Sequence, residues 1–564
     1  MREYTSMLRS LGCLQFLSFE VVQECKVWLK LSVFNGIRSF SELLPWIISL
    51  IFVGKVGDDD LAAISLAETW LYSFMLVNWI GSEMAQSTLV SQAHGQRSIV
   101  AMRGWTVITF VTMSFFNIFI SALALLYVPV LLGLKFDYDT VMLGAKWAYL
   151  SIPVLFTEAF VICSSNYLVS SQIYWQPTIV EVLRIFVDIP LSYVFIFGCG
   201  TQHVGRLENP LVGSALAWLI GSIVSCLLNS ALVRHYWDKE LEYGHEVEAE
   251  VAGKAAAINS DFTASTLNSS LLDSQHAISS DCHQELHFKK VASDNAYSSV
   301  EGREMCEDFP DTTMRNVVRW VLSGGRIRSF GHLALPNYLF AFTFCFSYFV
   351  LAILAAKLGN SELSAHNLCI SLFHVLASVS SGMGEATSVR VGFHVGCSDA
   401  TRAKRVAAIS VVFGALWGSI LCITVYSLRH AVVTAMVGSS DVQEQMLKII
   451  PIMAISYVAF AVSDMCLAIL EGQGRAAEQA VAFCLGSWII GVPVAFISYF
   501  CTDLGLVGIW MASFAGNAVT LVLALYFVSR SNWAKIVADS EERIVEIREE
   551  PLEPNHTLKD GVVV

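Results

Sequence analysis

The stretch LGLVGIWMASFAGNAVTLVLALYFVS, from Leu504 to Ser529, contains no Asp, Glu, Lys or Arg. A helix needs about 20 apolar residues to cross the roughly 30 Å hydrocarbon core of a bilayer, and this run exceeds that length. Backbone groups in lipid must satisfy their hydrogen bonds internally, so such a run predicts a spanning helix rather than a strand. The stretch therefore predicts an all-α integral membrane protein.

Eleven further segments are long and apolar enough to span a bilayer, although five of them carry isolated charges. They are 33–54, 61–92, 104–134, 141–165, 177–198, 209–233, 329–356, 363–384, 406–428, 449–470 and 479–502. The composition agrees, because only 15% of the residues are charged, against about 25% in soluble domains. The sequence thus predicts twelve transmembrane helices in two six-helix lobes.

Five parts follow from this pattern. They are a cytosolic N-terminal lead-in at 1–32, an N-lobe at 33–233, a largely disordered cytosolic linker at 234–328, a C-lobe at 329–530 and a cytosolic tail at 531–564. The linker is assigned by its Ser, Asp, Glu, Asn and His content and its few large apolar residues. The side with both termini and the linker holds 27 of the 35 Lys and Arg residues, so it is predicted to face the cytosol.

The two halves share residues at a sequence offset of about 300. The matching pairs are Leu61-Ala-Ala63 with Leu363-Ser-Ala365, Gly95 with Gly396, Gln172 with Gln473, Pro190 with Pro493, and Leu211-Val-Gly213 with Leu506-Val-Gly508. An even number of spans in each half makes the repeats parallel, with a pseudo-two-fold axis along the membrane normal. That arrangement predicts a cavity between the lobes and transport by alternating access.

Several motifs resemble those of the multidrug and toxic compound extrusion (MATE) family. They are Val53-Gly-Lys-Val-Gly57, Gly81 to Gly95, Tyr167 to Gln172, Ala365-His-Asn367, Ser388 to Gly392, Glu471 to Arg475, Gly491-Val-Pro493 and Gly505 to Trp510. The resemblance covers 34–533 apart from the linker. It implies a eukaryotic-type secondary antiporter that expels organic cations in exchange for protons or sodium, with its two six-helix bundles arranged as a V.

The sequence departs from the family pattern at three places. Eukaryotic relatives often carry an acid in the seventh helix, where Phe344 and Phe349 stand here. The Arg that usually precedes the Gly-x-Gly after helix ten is Glu471. The acid expected early in helix ten is not at Phe460, and the nearest one is Asp464.

Charges inside the spans are the candidates for ion coupling, because a charge at the bilayer centre costs roughly 2.5–3.5 kcal/mol on insertion scales. A buried carboxyl can hold a proton or face a cation, and competition between the two is the chemistry of antiport. Asp464 is the first candidate, with pairing to a neighbouring helix as the alternative. The other candidates are Glu68, Glu158, Glu83, Asp188, Glu42 and His374.

A structural role competes at several of these positions. Glu83 lies close to the cytosolic end, where a solvated role is possible, and Glu42 could serve an interface or a gate. Glu181, Arg184 and Asp188 share one helical face and could neutralise one another within the fifth helix. Glu158 has no neighbouring cation in the sequence. His374 could pass protons or simply pack.

The seventh helix is rich in aromatic residues, and aromatic faces bind organic cations. The predicted lining of the cavity is Phe344, Phe346, Tyr348, Gln172 and Asn367. Helix packing explains the aromatic residues equally well.

A transporter of this kind is expected to use no cofactor, only a gradient of H⁺ or Na⁺. The only metal-like spacing, His283 and His287 beside Cys282, lies in the linker. The expected partners are a small organic cation and the lipid bilayer of the plasma membrane or a vacuolar or other endomembrane. A net charge of −13 excludes nucleic acid as a partner, and a monomer is expected.

The spans contain no Gly-x-Ser-x-Gly motif and no phosphate-binding loop, so an enzyme is not expected. Export of organic anions or glycosylated metabolites is the alternative within transport. A lipid-carrier flippase and a membrane-embedded enzyme are weaker alternatives. The duplication also disfavours a channel or a receptor.

Overall fold

The structure is a computed structural model that describes residues 19–199, 205–265, 314–322 and 325–545, and helices make up nearly all of them. The first half contains α1 (Phe19–Gly54), α2 (Asp58–Gly95), α3 (Ile99–Leu125), α4 (Tyr127–Gly133), α5 (Tyr138–Leu150), α6 (Ile152–Ser170), α7 (Trp175–Phe197) and α8 (Pro210–Ser265). The second half contains α9 (Met314–Leu322), α10 (Arg326–Leu358), α11 (Asn360–Gly396), α12 (Ala400–Ser427), α13 (Arg429–Met436), α14 (Ser440–Gly472), α15 (Ala476–Cys484), a π-helix (Leu485–Gly491), α16 (Val492–Cys501), α17 (Gly505–Ser529) and α18 (Trp533–Val545).

Within the described residues, eleven helical segments are long and apolar enough to cross a membrane. α7 has 23 residues and is also long enough, but it carries the charges of Glu181, Arg184 and Asp188. With α7 included, each of the twelve predicted spans coincides with one helix or with consecutive helices. The expectation of an all-α membrane protein with two six-helix lobes is confirmed.

Three predicted spans are interrupted. The third is divided between α3 and α4 at Leu126, and the fourth between α5 and α6 at Ser151. Pro153 follows the second break, and its ring lacks the N–H that would continue the hydrogen bonds of α5. The eleventh span contains the π-helix, which Pro493 follows in the first turn of α16. Single π-turns inside α-helices often mark functional sites.

The linker differs from its sequence-based expectation. α8 does not end near 233 but continues to Ser265, so residues 239–265 are helical where disorder was expected. The segment Glu246–Ala257 is rich in Ala and Glu, which favour helix without needing a core. Residues 233–265 belong to the second of the two units of the chain, and 266–313 lie outside the described residues.

Corresponding helices end in the same way in the two halves. After α2 and α11, the backbone φ of Arg97 is 58° and that of Ser398 is 60°. After α6 and α14, the φ of Gln172 is 63° and that of Gly474 is 74°. In each case this left-handed residue donates its N–H to a carbonyl of the last helical turn and so closes the helix. The sequence repeat is therefore a repeat of local structure.

Each lobe has its own apolar core, and a third cluster joins the lobes. The N-lobe core includes Ile64, Leu155 and Leu211, and the C-lobe core includes Met453, Tyr457 and Trp510. The third cluster draws Trp28 and Val169 from the N-lobe together with Val391 and Ile469 from the C-lobe and Trp533 from α18. It lies at the end of the molecule where α1 begins.

This end, called here the terminal end, is marked by Glu24, Gly95, Gly396 and Ser540. α18 crosses it and contacts both lobes. The Ser540 hydroxyl donates to Gln92 Oε1 of the N-lobe over 3.2 Å, while Trp533 and Ile536 pack in the shared cluster. The tail is thus part of the closure at this end.

The helix ends approach one another closely at the terminal end. Gln92 Nε2 donates to the carbonyl of Gly472 over 3.0 Å, and Thr88 Oγ1 donates to that of Glu471 over 2.9 Å. A Cβ added at Gly382 would lie 2.5 Å from Cα of Gly36, closer than real side chains come. Glycine is therefore required where the two lobes touch.

A single added methyl group tests this contact. We expect Gly382→Ala to lower the stability of the purified protein by about 1–3 kcal/mol, the usual cost of overpacking. Thermal unfolding in detergent measures it. The control is Gly331→Ala in α10, where a Cβ meets nothing within 4 Å and alanine is the better helix former. Equal melting temperatures for both variants would contradict the close approach.

Candidate functional site

A buried ion cluster lies between α6 and α7 in the N-lobe. The Arg184 guanidinium donates to both carboxylate oxygens of Glu158, one of them through Nη1 over 3.3 Å. Its Nε donates to Asp188 Oδ2 over 3.0 Å, and its Nη1 lies 3.8 Å from Glu181 Oε2. Trp218 Nε1 also donates to Glu158 Oε1, over 3.1 Å. One cation therefore holds three carboxylates together.

All four charged side chains of this cluster are at most 7% exposed. Within the described ranges, Glu181 Oε2 and Asp188 Oδ1 have no hydrogen-bond partner. The expected neutralisation within the fifth helix is therefore only part of the arrangement, because Arg184 also reaches across to α6. Glu158 has no cation near it in the sequence, but in the structure it is paired with Arg184.

A second carboxyl of the N-lobe, that of Glu68, lies against aromatic rings. The indole N–H of Trp46 donates to Glu68 Oε1 over 3.2 Å. The Trp46 ring stacks on Tyr72 with centroids 5.8 Å apart and planes 4° apart, and Trp79 meets Tyr72 edge-on. Among the described residues, Glu68 has no ion-pair partner. Glu42 lies one turn before Trp46 and is exposed.

Asp464 of the C-lobe faces the eighth span. A Cβ added at Gly384 would lie 3.2 Å from Asp464 Oδ2. That oxygen is buried and has no hydrogen-bond partner among the described residues. An ionised carboxylate in such a place needs a cation beside it or a proton on it. The Asp464 carboxyl thus lies beside the backbone of the neighbouring helix α11.

A small cavity of about 30 Å³ lies among α10, the π-helix and α17 in the C-lobe. Its lining includes Tyr348, Phe483, Ser487, Ser513 and Asn517, and none of its lining residues is acidic. This volume holds one or two water molecules, but not an organic cation.

The other predicted lining residues are dispersed. Phe344 meets Tyr348 edge-on with centroids 5.5 Å apart, and Tyr348 meets His374 over 5.7 Å. Phe346 instead contacts Phe74 across the lobes, and Asn367 is exposed. His374 therefore packs against an aromatic ring of α10.

Two predicted residues lie where the lobes meet at the terminal end. Gln172 Oε1 accepts a hydrogen bond from Arg390 Nη1 over 2.8 Å. Glu83 lies 3.7 Å from Arg38 and is half-buried. Arg38, which the charge count treated only as a cytosolic cation, is 8% exposed.

Sequence reasoning missed the main partner of Arg38. Glu385 lies on α11, and both of its carboxylate oxygens are 2.7 Å from Arg38 Nη2. The charge-free run 363–384 ends one residue before it, so Glu385 lies outside the predicted span. The available signal was the repeat, because Glu385 stands 302 residues after Glu83.

The family model MatE matches residues 37–194 and 336–497, more than half of the chain. The chain belongs to the MATE family. It is a multi-pass membrane transporter and not an enzyme. Protein DETOXIFICATION 37 of Arabidopsis thaliana is 23% identical to it over 521 residues, which are 90% of this chain and 86% of that protein.

Multidrug and toxin extrusion protein 1 of Mus musculus is 28% identical over 207 residues, or 37% of this chain and 36% of the mouse protein. This alignment spans about a third of the mouse protein. A crystal structure of the eukaryotic MATE transporter AtDTX14 matches the fold with a TM-score of 0.71 at 18% identity. It covers 93% of this chain and 99% of that chain. The fold is thus that of MATE transporters.

Removing the Arg184 cation tests the N-lobe cluster. Arg184→Gln leaves three buried carboxyls without a cation, so we expect a loss of about 3–5 kcal/mol at pH 8. The loss should shrink at pH 5, where protons can replace the missing cation. Thermal unfolding at the two pH values measures it. The control is Arg475→Gln, which removes the partly exposed pair with Glu478; an equal effect in both variants would contradict the role of the cluster.

Proposed function

We propose that this protein exports organic cations in exchange for protons by alternating access. The observation that carries the proposal is the Glu68 carboxyl, which accepts the indole N–H of Trp46, whose ring stacks on Tyr72. Aromatic faces attract cations, and a carboxylate beside them supplies the opposite charge. Proton and cation would compete for Glu68, so loading of one would release the other.

The charges of the N-lobe favour a cationic cargo over an anionic one. Arg184 is the cation of the fifth predicted span, and it is paired with Glu158, Asp188 and Glu181. An anion would have to displace these carboxylates. Glu68 and Glu42, in contrast, have no ion-pair partner among the described residues. Export of organic anions is therefore the weaker alternative.

The C-lobe supports the same assignment. Its cavity has hydroxyl, amide and aromatic groups but no acid in its lining. The position in α10 where relatives often carry an acid is occupied by Phe344. A positive charge would then be recognised in the N-lobe, and the C-lobe would contact the apolar or hydroxylated parts of the cargo.

The position of the contacts between the lobes supports alternating access. In the described part of the chain, most hydrogen bonds and ion pairs between the lobes lie at the terminal end. Farther along α2, the Tyr338 hydroxyl of the C-lobe lies 2.6 Å from that of Ser82. A contact nearer mid-membrane is the ring pair of Phe74 and Phe346, with centroids 5.9 Å apart. We infer that this conformation is closed toward the terminal end, so that cargo would leave from the opposite side.

Flux into proteoliposomes tests the proposal. Purified protein should drive counterflow of labelled tetraethylammonium when a proton gradient is imposed, and not with a sodium gradient alone. Uptake of an organic anion only, or catalytic turnover without flux, would reject it. Flux driven by a sodium gradient alone would identify Na⁺, rather than H⁺, as the coupling ion.

Glu68→Gln is expected to reduce proton-coupled flux of tetraethylammonium at least about tenfold, since glutamine can neither bind the proton nor balance the cation. The measurement is the initial rate of flux under a fixed pH gradient. Asp59→Asn is the control, because Asp59 lies on the same helix but is exposed at its first turn. Equal rates in the two variants would remove Glu68 from the site.

Asp464 is proposed as a second coupling carboxyl because its Oδ2 is buried without a partner. We expect Asp464→Asn to lose coupling while the protein still inserts, so that cation flux no longer responds to the pH gradient. Asp441→Asn, on the exposed first turn of the same helix, is the control. Flux of the Asp464 variant that still follows the gradient would contradict the assignment.

A further inference from the structure

We propose that two crossed ion pairs between α1 and α11, Arg38 with Glu385 and Arg390 with Glu24, form the gate that closes the terminal end. The inference rests on the proposed function in one respect, that the lobes separate at this end during transport. It names residues to which nothing above assigns a role in transport.

The two pairs have opposite polarity. In the first, the N-lobe supplies the cation: Arg38 Nη2 lies 2.7 Å from both oxygens of Glu385. In the second, the C-lobe supplies it: Arg390 donates to Glu24 Oε1 through Nε over 2.7 Å and through Nη2 over 2.5 Å. Each lobe thus presents one cation and one anion to the other, which fixes the register of the closed state.

The pairs flank a short, buried contact. Between them, the Trp28 indole donates to Thr387 Oγ1 over 3.0 Å, and Trp28 is fully buried. Toward the membrane centre, Gly36 packs on the backbone of Val379. Charges, a polar bond and close backbone contact therefore alternate along one seam between α1 and α11.

Packing alone does not account for these charges. Buried ion pairs are often less stabilising than apolar residues of the same size, so a permanent interface would gain from replacing them. Ions have one advantage at an interface that must open, because water solvates the separated charges and lowers the cost of parting. An apolar seam of equal area would expose its surface to water instead.

Two further acids lie beside the gate. Glu83 lies 3.7 Å from Arg38, and Glu471 accepts the Ser388 hydroxyl over 3.0 Å. His394 lies 3.3 Å from Glu24.

Cysteine accessibility tests the gate without requiring transport. The reporter is Ser91→Cys, in a background whose native cysteines are replaced. Ser91 of α2 lies beside the gate where the lobes touch, because a Cβ added at Gly392 of α11 would lie 3.2 Å from its Cβ. A membrane-impermeant maleimide is added from the terminal-end side of oriented vesicles, and the rate of labelling is measured.

We expect Glu385→Gln and Glu24→Gln each to raise the labelling rate about tenfold, because loss of one partner leaves a buried charge that favours the open state. Glu478→Gln is the matched control, since it breaks an ion pair within the C-lobe, next to the end of α14. Rates equal to the control in both gate variants would overturn the proposal.

A double variant guards against a folding defect. If Glu385→Gln does not yield folded protein, Arg38→Gln with Glu385→Gln removes both charges and avoids the unpaired one. Its labelling rate should still exceed that of the control, and an unchanged rate would count against the gate. Cation flux is measured separately, in the protein without gate substitutions. If that protein shows no flux but the gate variants are labelled faster, the proposed function is rejected and the gate is retained. If its flux is normal but labelling of the gate variants is unchanged, the gate is rejected and the proposed function is retained.

Discussion

The close approach of α2, α11 and α14 at the terminal end is the contact on which the rest of the structure depends. Glycines at positions 95, 392, 396 and 472 let helix backbones meet there. The side-chain amide of Gln92 then bonds the carbonyl of Gly472 in the opposite lobe. Because the lobes are held together at this end, Arg38 forms an ion pair with Glu385. For the same reason α18 packs on residues of both lobes.

The two lobes share an architecture but differ in what fills equivalent places. Pro190 and Pro493 are 303 residues apart. At that offset Arg184 and Asp188 of the N-lobe correspond to Ser487 and Gly491 of the C-lobe. Both of these smaller residues line the C-lobe cavity. The duplicated fold therefore holds an ion cluster in the N-lobe and a small neutral cavity at the corresponding place in the C-lobe. In the proposed recognition of cargo, the N-lobe binds the positive charge and the C-lobe contacts the rest of the molecule.

Isolated charges in the apolar runs indicated which charged residues lie within the predicted spans, but not which residues they form ion pairs with. The sequence separated Glu158 from Arg184 by 26 residues, yet their side chains are hydrogen-bonded between adjacent helices. It placed Glu385 outside a span because the charge-free run stopped at Gly384, although the helix continues to Gly396. A scan for charge-free windows ends a helix at its first charge, whereas the backbone continues wherever another helix supplies a counter-charge.

The sequence by itself determined the class of the protein, its twelve spans, the duplication and the acids that lie within the membrane. It could do so because the bilayer imposes length and polarity on each helix separately. Only the tertiary structure decided which charges meet, that the Asp464 carboxyl lies beside a backbone, and that the lobes touch at the terminal end. Those outcomes depend on how helices far apart in sequence rotate and pack, and the polarity of a single helix does not specify that.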